Sequence, residues 1–451
     1  MKINLLKNDL KHCFVFLFQK YRFVQKRIKI SNVFWLIIIS LIISIHASAQ
    51  SKSYPYDIVK YDFIDYEKNK LLFFSDSSNF ESFYQSLDEV IFQGEGKINI
   101  LHIGGSHIQA DVFSGRIRKR FQTFSPGIKG ARGFVFPYRV AKTNTPLNYW
   151  VDYTGEWEAC RNVERNKNCV LGLSGISVTT RDSISTIKLY KRKNIKYLFY
   201  DFNKIKVLYD ICDSSFKLEI NNPNIVTKTE THQNEGYTIY FFNKHIDTLE
   251  LKIIKTDTLQ THFTLYGIIL ENDDPGIIYN SIGINGASVP SFLRCSLLQQ
   301  HLKVLNPDLV ILSLGINDAY GRKFSPNNFI LNYDSLINRI REAKPDVPII
   351  LTTNNDSYLY RRHVNRNGEK VRKAMYHLAK KHNAAVWDLY TVMGGLNSIV
   401  IWQRLELAKR DKIHFTREGY NILGDLFFNA MLRAYDVHLS RSPKLEVRSR
   451  K

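Results

Sequence analysis

The sequence predicts an α/β protein: a parallel sheet covered by helices on both faces, interrupted by an inserted all-β module. The parallel sheet is predicted first by Asp308-Leu309-Val310-Ile311-Leu312-Ser313-Leu314, which is almost wholly apolar. A strand buried on both faces has that composition. Further runs of this kind then alternate with helical periodicity through the second half, as a doubly covered sheet requires. The insert is predicted by a change of texture between about Ser174 and Glu271, where short β-branched and aromatic runs are separated by Asn, Asp and Lys clusters. No helical period runs through that stretch, which reads as a β-sandwich.

Taken in order, residues 50–96 form an irregular lead that ends in a helix around Glu81 to Phe92, where Phe83, Leu87 and Ile91 share a face. Ile98 to Ile103 is a buried strand running into two glycines and Ser106. An amphipathic helix follows, marked by Ile108, Val112, Phe113, Ile117 and Phe121. The insert, placed at 176–272, holds strands at Thr186–Tyr190, Tyr197–Phe202, Lys204–Tyr209, Phe216–Ile220, Tyr237–Phe242 and Thr248–Ile254. The α/β domain therefore comes in two parts, 97–175 and 273–436. Its second part has a helix over Asn328–Ala343 stopped by Pro345, strands at Pro348–Thr352 and Ala385–Leu389, and helices at Glu369–Lys381 and Arg417–Tyr435. Residues 437–451 read as a solvated basic tail.

Residues 1–49 read as an export signal. The apolar run Val33–Ile45 is short for a membrane span, follows basic residues and precedes Ala47-Ser48-Ala49, with cleavage expected after Ala49. The expected location is therefore the periplasm or cell envelope, with an uncleaved N-terminal anchor as the alternative and no stable anchor if the signal is removed. The formal net charge of +21 is only partly due to this leader, so the remainder is also basic and favours anionic partners. Export argues against nucleic acid among them. Cys13 lies in the leader; of the other four cysteines, Cys160 and Cys169 form the obvious local pair in an oxidising compartment. No His/Cys cluster has the spacing of a metal site, and no metal or organic cofactor is expected.

Four short stretches carry the chemistry: Gly104-Gly105-Ser106-His107, Gly283-Ile284-Asn285-Gly286-Ala287-Ser288, Gly315-Ile316-Asn317-Asp318 and Asp411-Lys412-Ile413-His414. A serine hydroxyl needs a neighbouring imidazole to remove its proton, and the imidazole needs a carboxylate to hold its tautomer. Ser106, His414 and Asp411 supply that set. Negative charge on a tetrahedral intermediate needs fixed donors, and the Ser106 and Gly286 backbone N–H groups with the Asn317 amide supply them. Taken singly, Asp411 would serve as a turn or cap, His414 as a surface residue, Gly286 as a tight turn and Asn317 as a cap. Ser106 and Asn317 each follow a strand and Gly286 leads into a helix, so all lie along one edge of the sheet, where open α/β sheets bind ligands.

This set resembles the SGNH hydrolases, also called the GDSL esterases, whose four blocks carry Ser, Gly, Asn and a D-x-x-H ending. The resemblance covers roughly 97–175 and 275–436 and implies a flavodoxin-like three-layer α/β/α sheet with a serine-esterase site. One departure is Gly105, where the family has Asp in Gly-Asp-Ser; its absence is expected to loosen the nucleophile turn. Ser106-His107-Ile108-Gln109-Ala110-Asp111, the export signal and the insert together look like the peptidoglycan O-acetylesterase branch, in which the inserted module is carbohydrate-binding-like. That resemblance implies O-acetylated peptidoglycan as the cell-wall polysaccharide partner and an acetyl-Ser106 intermediate. An O-acetyltransferase on the same scaffold and a non-catalytic wall-binding protein are the alternatives. Arg132, Trp150 and Trp157 are weaker candidates for substrate contact, with a salt bridge and core packing as their plainer roles.

Overall fold

The computed structural model describes residues 59–192 and 201–441. The expected leader, the start of the strand at Tyr197–Phe202 and residues 442–451 lie outside the described residues. Six strands form the central sheet: β1 (Leu71–Phe73), β2 (Lys97–Gly104), β3 (Gly276–Gly283), β4 (Leu309–Ser313), β5 (Ile349–Thr352) and β6 (Ala385–Trp387). Their order is β1-β6-β5-β4-β2-β3, with β1 antiparallel to β6 and every other pairing parallel. Without the β1 edge strand, which the sequence did not reveal, this is the flavodoxin-like order.

Helices cover both faces. On one side lie α1 (Glu81–Asp88), α2 (Ser106–Gln109) and α3 (Phe113–Phe121), with the C-terminal helix Arg417–Arg441 packed against α1 and α3. On the other, α4 (Val289–Leu293) and α5 (Leu298–Leu305) both pack against α6 (Pro326–Ala343), which packs against α7 (Asn367–His382). β2 is flanked by β3 on one side and β4 on the other, so the strand order reverses there. The chain leaves β2 and β4 in opposite directions, which is the position at which open α/β sheets bind ligands.

Three features differ from expectation. The helix after Ser106 is broken into α2 and α3 because Asp111 adopts a φ of 52°. Its carboxylate is turned inward, accepting two hydrogen bonds from Arg118 at 2.8 and 2.9 Å, others from Ser114 and Ser281, and one from Asn148. Burial opposes its ionisation, but Arg118 and Arg132 hold it well below the usual carboxylate range. Secondly, antiparallel β structure starts well before residue 176. Gly133–Val135 and Glu158–Arg161 pair into a seven-stranded sheet, and Tyr149–Thr154 into a four-stranded one. The inward residues of both sheets join the same apolar core, with Val151, Leu189 and Leu251 from one and Val178, Val207 and Leu265 from the other. Thirdly, residues 437–441 continue the last helix instead of opening the tail.

A chain of polar side chains crosses the sheet close to its C-terminal edge. His102 meets the Tyr279 hydroxyl at 2.7 Å and Ser313 Oγ at 2.6 Å, and the Thr352 hydroxyl donates to Ser313 at 2.7 Å. Those four residues come from β2, β3, β4 and β5. Burial pushes the His102 pKa down to about 3, so the link is neutral and costs the core no buried charge.

Candidate active site

The ends of three adjacent strands lie level. Gly104 of β2 is in register with Gly283 of β3 and Ser313 of β4, so the turns carrying Ser106, Gly286 and Asn317 leave the sheet side by side. Two glycines permit the close approach. A Cβ on Gly104 would stand 2.3 Å from Ile108 Cγ1, and one on Gly283 would stand 2.2 Å from the Gln109 backbone nitrogen. With hydrogen in their place, α2 lies directly against the strand ends.

Ser106 Oγ is 2.7 Å from His414 Nε2, and His414 Nδ1 is 2.9 Å from Asp411 Oδ2. An ionised carboxylate can only accept, so Nδ1 carries the imidazole proton and Nε2 is left to accept from the serine hydroxyl. Asp411 is restrained further, since its Oδ1 accepts the backbone N–H groups of Ile413 and His414, each at 2.9 Å. Partial burial opposes its charge, yet these three donors hold its pKa well below the usual carboxylate range. The turn itself depends on Lys412, whose φ of 56° reverses the chain. It is braced from β5's side, where the Asn355 amide donates to Ile413 O at 3.0 Å and the Tyr358 N–H to Lys412 O at 3.1 Å.

Gly286 has a φ of 81°, a conformation that glycine adopts without strain. The Asn317 amide donates to Ala287 O at 2.8 Å, which ties the Gly286 turn to the turn after β4. An amide nitrogen has two hydrogens, so one donor remains after this bond. A Cβ on Gly105 would lie 3.2 Å from Asn317 Nδ2, so the amide stands against the turn that carries Ser106. The expected looseness at Gly105 is therefore answered by packing: the Asn317 amide occupies the flank where a side chain would begin.

Three supporting residues had no role assigned from sequence. Gln109 is 2% exposed; its amide donates to Thr143 Oγ1 at 2.9 Å and Asn144 O at 3.0 Å, and its oxygen accepts the Asn285 N–H at 2.7 Å. It thus fixes the residue before Gly286 to the helix that begins at Ser106. Asp318 accepts the Val289 N–H with both oxygens, and burial pushes its pKa up to about 6. Asn355 is the third, through its bond to Ile413. Each works through a neighbour distant in the chain, so periodicity and spacing carry no trace of it.

His107 does not face the serine. Its Nδ1 is 2.7 Å from the Tyr420 hydroxyl and its ring packs 5.1 Å from that of His414. Burial, then the adjacent His414, push its pKa down to about 3, so it stays neutral beside the His414 imidazole.

The weaker substrate candidates have structural partners. Arg132 is buried, pairs with Asp111 and packs over the Tyr149 ring, so it is corrected from a substrate contact to a core ion pair. Trp150 has the guanidinium groups of Arg139 and Arg192 over its ring, at 5.0 and 4.4 Å. Trp157 donates to Thr154 O and packs edge-on against Phe263. Cys160 and Cys169 form a disulfide, while Cys212 and Cys295 are free.

Residues 265–422 match the GDSL-like lipase/acylhydrolase family. The chain carries a domain of that family. This SGNH-type hydrolase domain includes Gly286, Asn317, Asp411 and His414 within the match; Ser106 lies on the other side of the β module. Among solved structures, a peptidoglycan O-acetylesterase aligns with a TM-score of 0.64 and 21% identity over 81% of this chain and 99% of its own. A GDSL-like lipase from Bacteroides thetaiotaomicron VPI-5482 aligns at 22% identity over 35% of this chain and 76% of its own, with a TM-score of 0.27. An acetyl xylan esterase aligns at 20% identity over 33% and 78%, also with a TM-score of 0.27. No curated protein sequence matches the chain.

Proposed function

We propose that this protein is an exported serine esterase that removes O-acetyl groups from cell-wall carbohydrate, with O-acetylated peptidoglycan as its substrate. The observation that carries the esterase reading is the unbroken link Ser106 Oγ–His414 Nε2/Nδ1–Asp411, set beside the turns of Gly286 and Asn317 at the strand-order reversal. The substrate class is supported by the alignment with a peptidoglycan O-acetylesterase over almost the whole of that chain and 81% of this one. Export is supported by the sequence of residues 1–49.

In this reading His414 takes the Ser106 proton as Oγ attacks the acetyl carbonyl. Asp411 holds the tautomer and stabilises the imidazolium. The Ser106 and Gly286 N–H groups and the free Asn317 N–H hold the oxyanion. His414 then gives its proton to the departing sugar oxygen, and water, activated by the same imidazole, releases acetate from Ser106. Acetate release from O-acetylated peptidoglycan, measured beside acetylated xylan, tests the assignment. Release from peptidoglycan alone supports it, equal release from both removes the wall specificity, and release from neither removes the hydrolase reading.

Two variants probe the oxyanion side. Gly105→Ala puts a methyl 3.2 Å from Asn317 Nδ2 and displaces the amide. Losing one such donor costs about 10²–10³ in kcat, so a partial displacement should lower kcat by roughly tenfold or more. Steady-state kinetics on 4-nitrophenyl acetate would show it, and Gly105→Asp should do no better despite the family's usual residue. Gln109→Leu removes the acceptor for the Asn285 N–H. It should lower kcat by roughly tenfold with little change in KM, because a displaced oxyanion donor is felt mainly in the transition state. A rise in KM at constant kcat would assign Gln109 to substrate binding instead.

A further inference from the structure

We propose that the hairpin Tyr358–Val364 and the adjoining loop at residues 320–323 form a cationic rim of the active site that grips a carboxylate-bearing glycan strand. The inference rests on the esterase site for its location and on separate observations for its chemistry. The hairpin pairs Tyr358 with Val364 and Leu359 with His363. Its stem is tied to the catalytic turn: the Tyr358 N–H donates to Lys412 O, and Lys412 Nζ lies 4.2 Å over the Tyr358 ring. Its tip is tied to the turn after β4, where the Tyr360 N–H donates to the Tyr320 hydroxyl at 2.9 Å and the two rings meet edge-on at 5.6 Å. Lys412 is one residue from Asp411, and Tyr320 is three from Asn317. The hairpin therefore bridges two of the turns that build the site.

Its residues are poorly suited to making a turn. The chain reverses through Tyr360 and Arg361 at φ values of 51° and 64°, with the Arg362 N–H bonded to Leu359 O. Glycine and asparagine are preferred in this mirror-image turn because side chains crowd the backbone there. A tyrosine and an arginine hold those two places instead, and Tyr360 is 59% exposed. Local strain of this kind collects at binding and switch sites, where the side chains are needed for another purpose.

The charge is one-sided. Arg361, Arg362 and His363 are exposed at the tip, with Arg322 and Lys323 exposed in the loop beside Tyr320. Neither segment contains an acidic residue, and the aspartates just before them are turned inward: Asp318 binds the Val289 N–H, and Asp356 binds the Ile399 N–H. Exposed guanidinium groups beside two aromatic rings suit a polymer that offers sugar faces and carboxylates together, since arginine binds carboxylate in a fork and an aromatic ring covers an apolar sugar face. Peptidoglycan, whose stem peptides bear carboxylates, fits; a neutral acetylated glycan does not use the charge.

Cosedimentation of the purified protein with peptidoglycan sacculi and with chitin, at low and at high salt, tests the rim. Arg361→Ala/Arg362→Ala should weaken binding to sacculi fivefold or more and remove most of its salt dependence. Hydrolysis of 4-nitrophenyl acetate should be unchanged, which also shows that the variant is folded. Sacculus binding equal to wild type, or wild-type binding to chitin as tight as to sacculi, would overturn the proposal. Binding does not require an acetyl group, so a protein that binds sacculi through the rim yet releases no acetate would refute the esterase assignment alone.

Discussion

Ser106→Ala should abolish ester hydrolysis while leaving the melting temperature unchanged. The Oγ makes one hydrogen bond, to His414, and the serine is partly exposed at the mouth of the site, so its loss costs the fold little. The proposed chemistry loses its nucleophile outright. In serine hydrolases, removing the nucleophile lowers kcat by about six orders of magnitude, and the residual rate comes from the oxyanion donors and binding. Initial rates with 4-nitrophenyl acetate, read beside a thermal melt followed by circular dichroism, give both quantities. Residual hydrolysis within about tenfold of wild type would show that Ser106 is not the nucleophile. His414→Ala should be similarly inactive, and the double variant hardly worse, because the pair acts as a unit.

Asp411→Asn should lower kcat by about 10⁴ with KM close to wild type. An asparagine keeps an oxygen for the Ile413 and His414 N–H groups, so the turn survives. Its amide, however, donates where the carboxylate accepted. His414 Nδ1 must then be the acceptor, Nε2 carries the proton, and the imidazole can no longer take one from Ser106. The pH profile supplies a further check. A carboxylate whose pKa is lowered in the folded protein contributes stability that is complete above its unfolded value and is lost only as the pH falls through the folded one. Asp411 therefore remains ionised through mildly acidic solution. Melting temperatures of wild type and Asp411→Asn should be parallel down to about pH 5 and converge below the usual carboxylate range. Convergence already at neutral pH would contradict the lowered pKa.

What could be read from the chain was whatever depends on neighbours in sequence. The run from Leu309 to Ser313 shows a doubly buried strand because every residue but the last must be apolar to lie there. Ser106, Gly286, Asn317 and the Asp411/His414 pair were legible because each belongs to a short block of particular residue types. The break at Asp111 was not legible. Its apolar neighbours Ile108, Val112 and Ile117 continue a helical pattern, and the buried Arg118 guanidinium, fixed by β3, together with Ser281 and Asn148 holds the aspartate inward where the helix is interrupted. Nor was the early start of the β module, because the strands at 133–135 and 149–161 take their places from partners at 176–191 and 263–271. Arg132 takes the plainer of its two expected roles, a salt bridge, but its partner was not legible for the same reason: its sequence neighbours describe a loop, while Asp111 and Tyr149 place it in the core.

By itself, then, the sequence determined the class of fold, the candidate residues of the proposed site and the basic character of the protein, all of which reside in local pattern and composition. The tertiary structure alone decided that Ser106 and His414, 308 residues apart, stand 2.7 Å from each other. It also decided that Gln109 and Asn355 brace turns they do not belong to, and that the hairpin at Tyr358–Val364 borders the site. Such relations depend on which strands lie side by side, and strand order is set by the packing of the whole sheet and its helices.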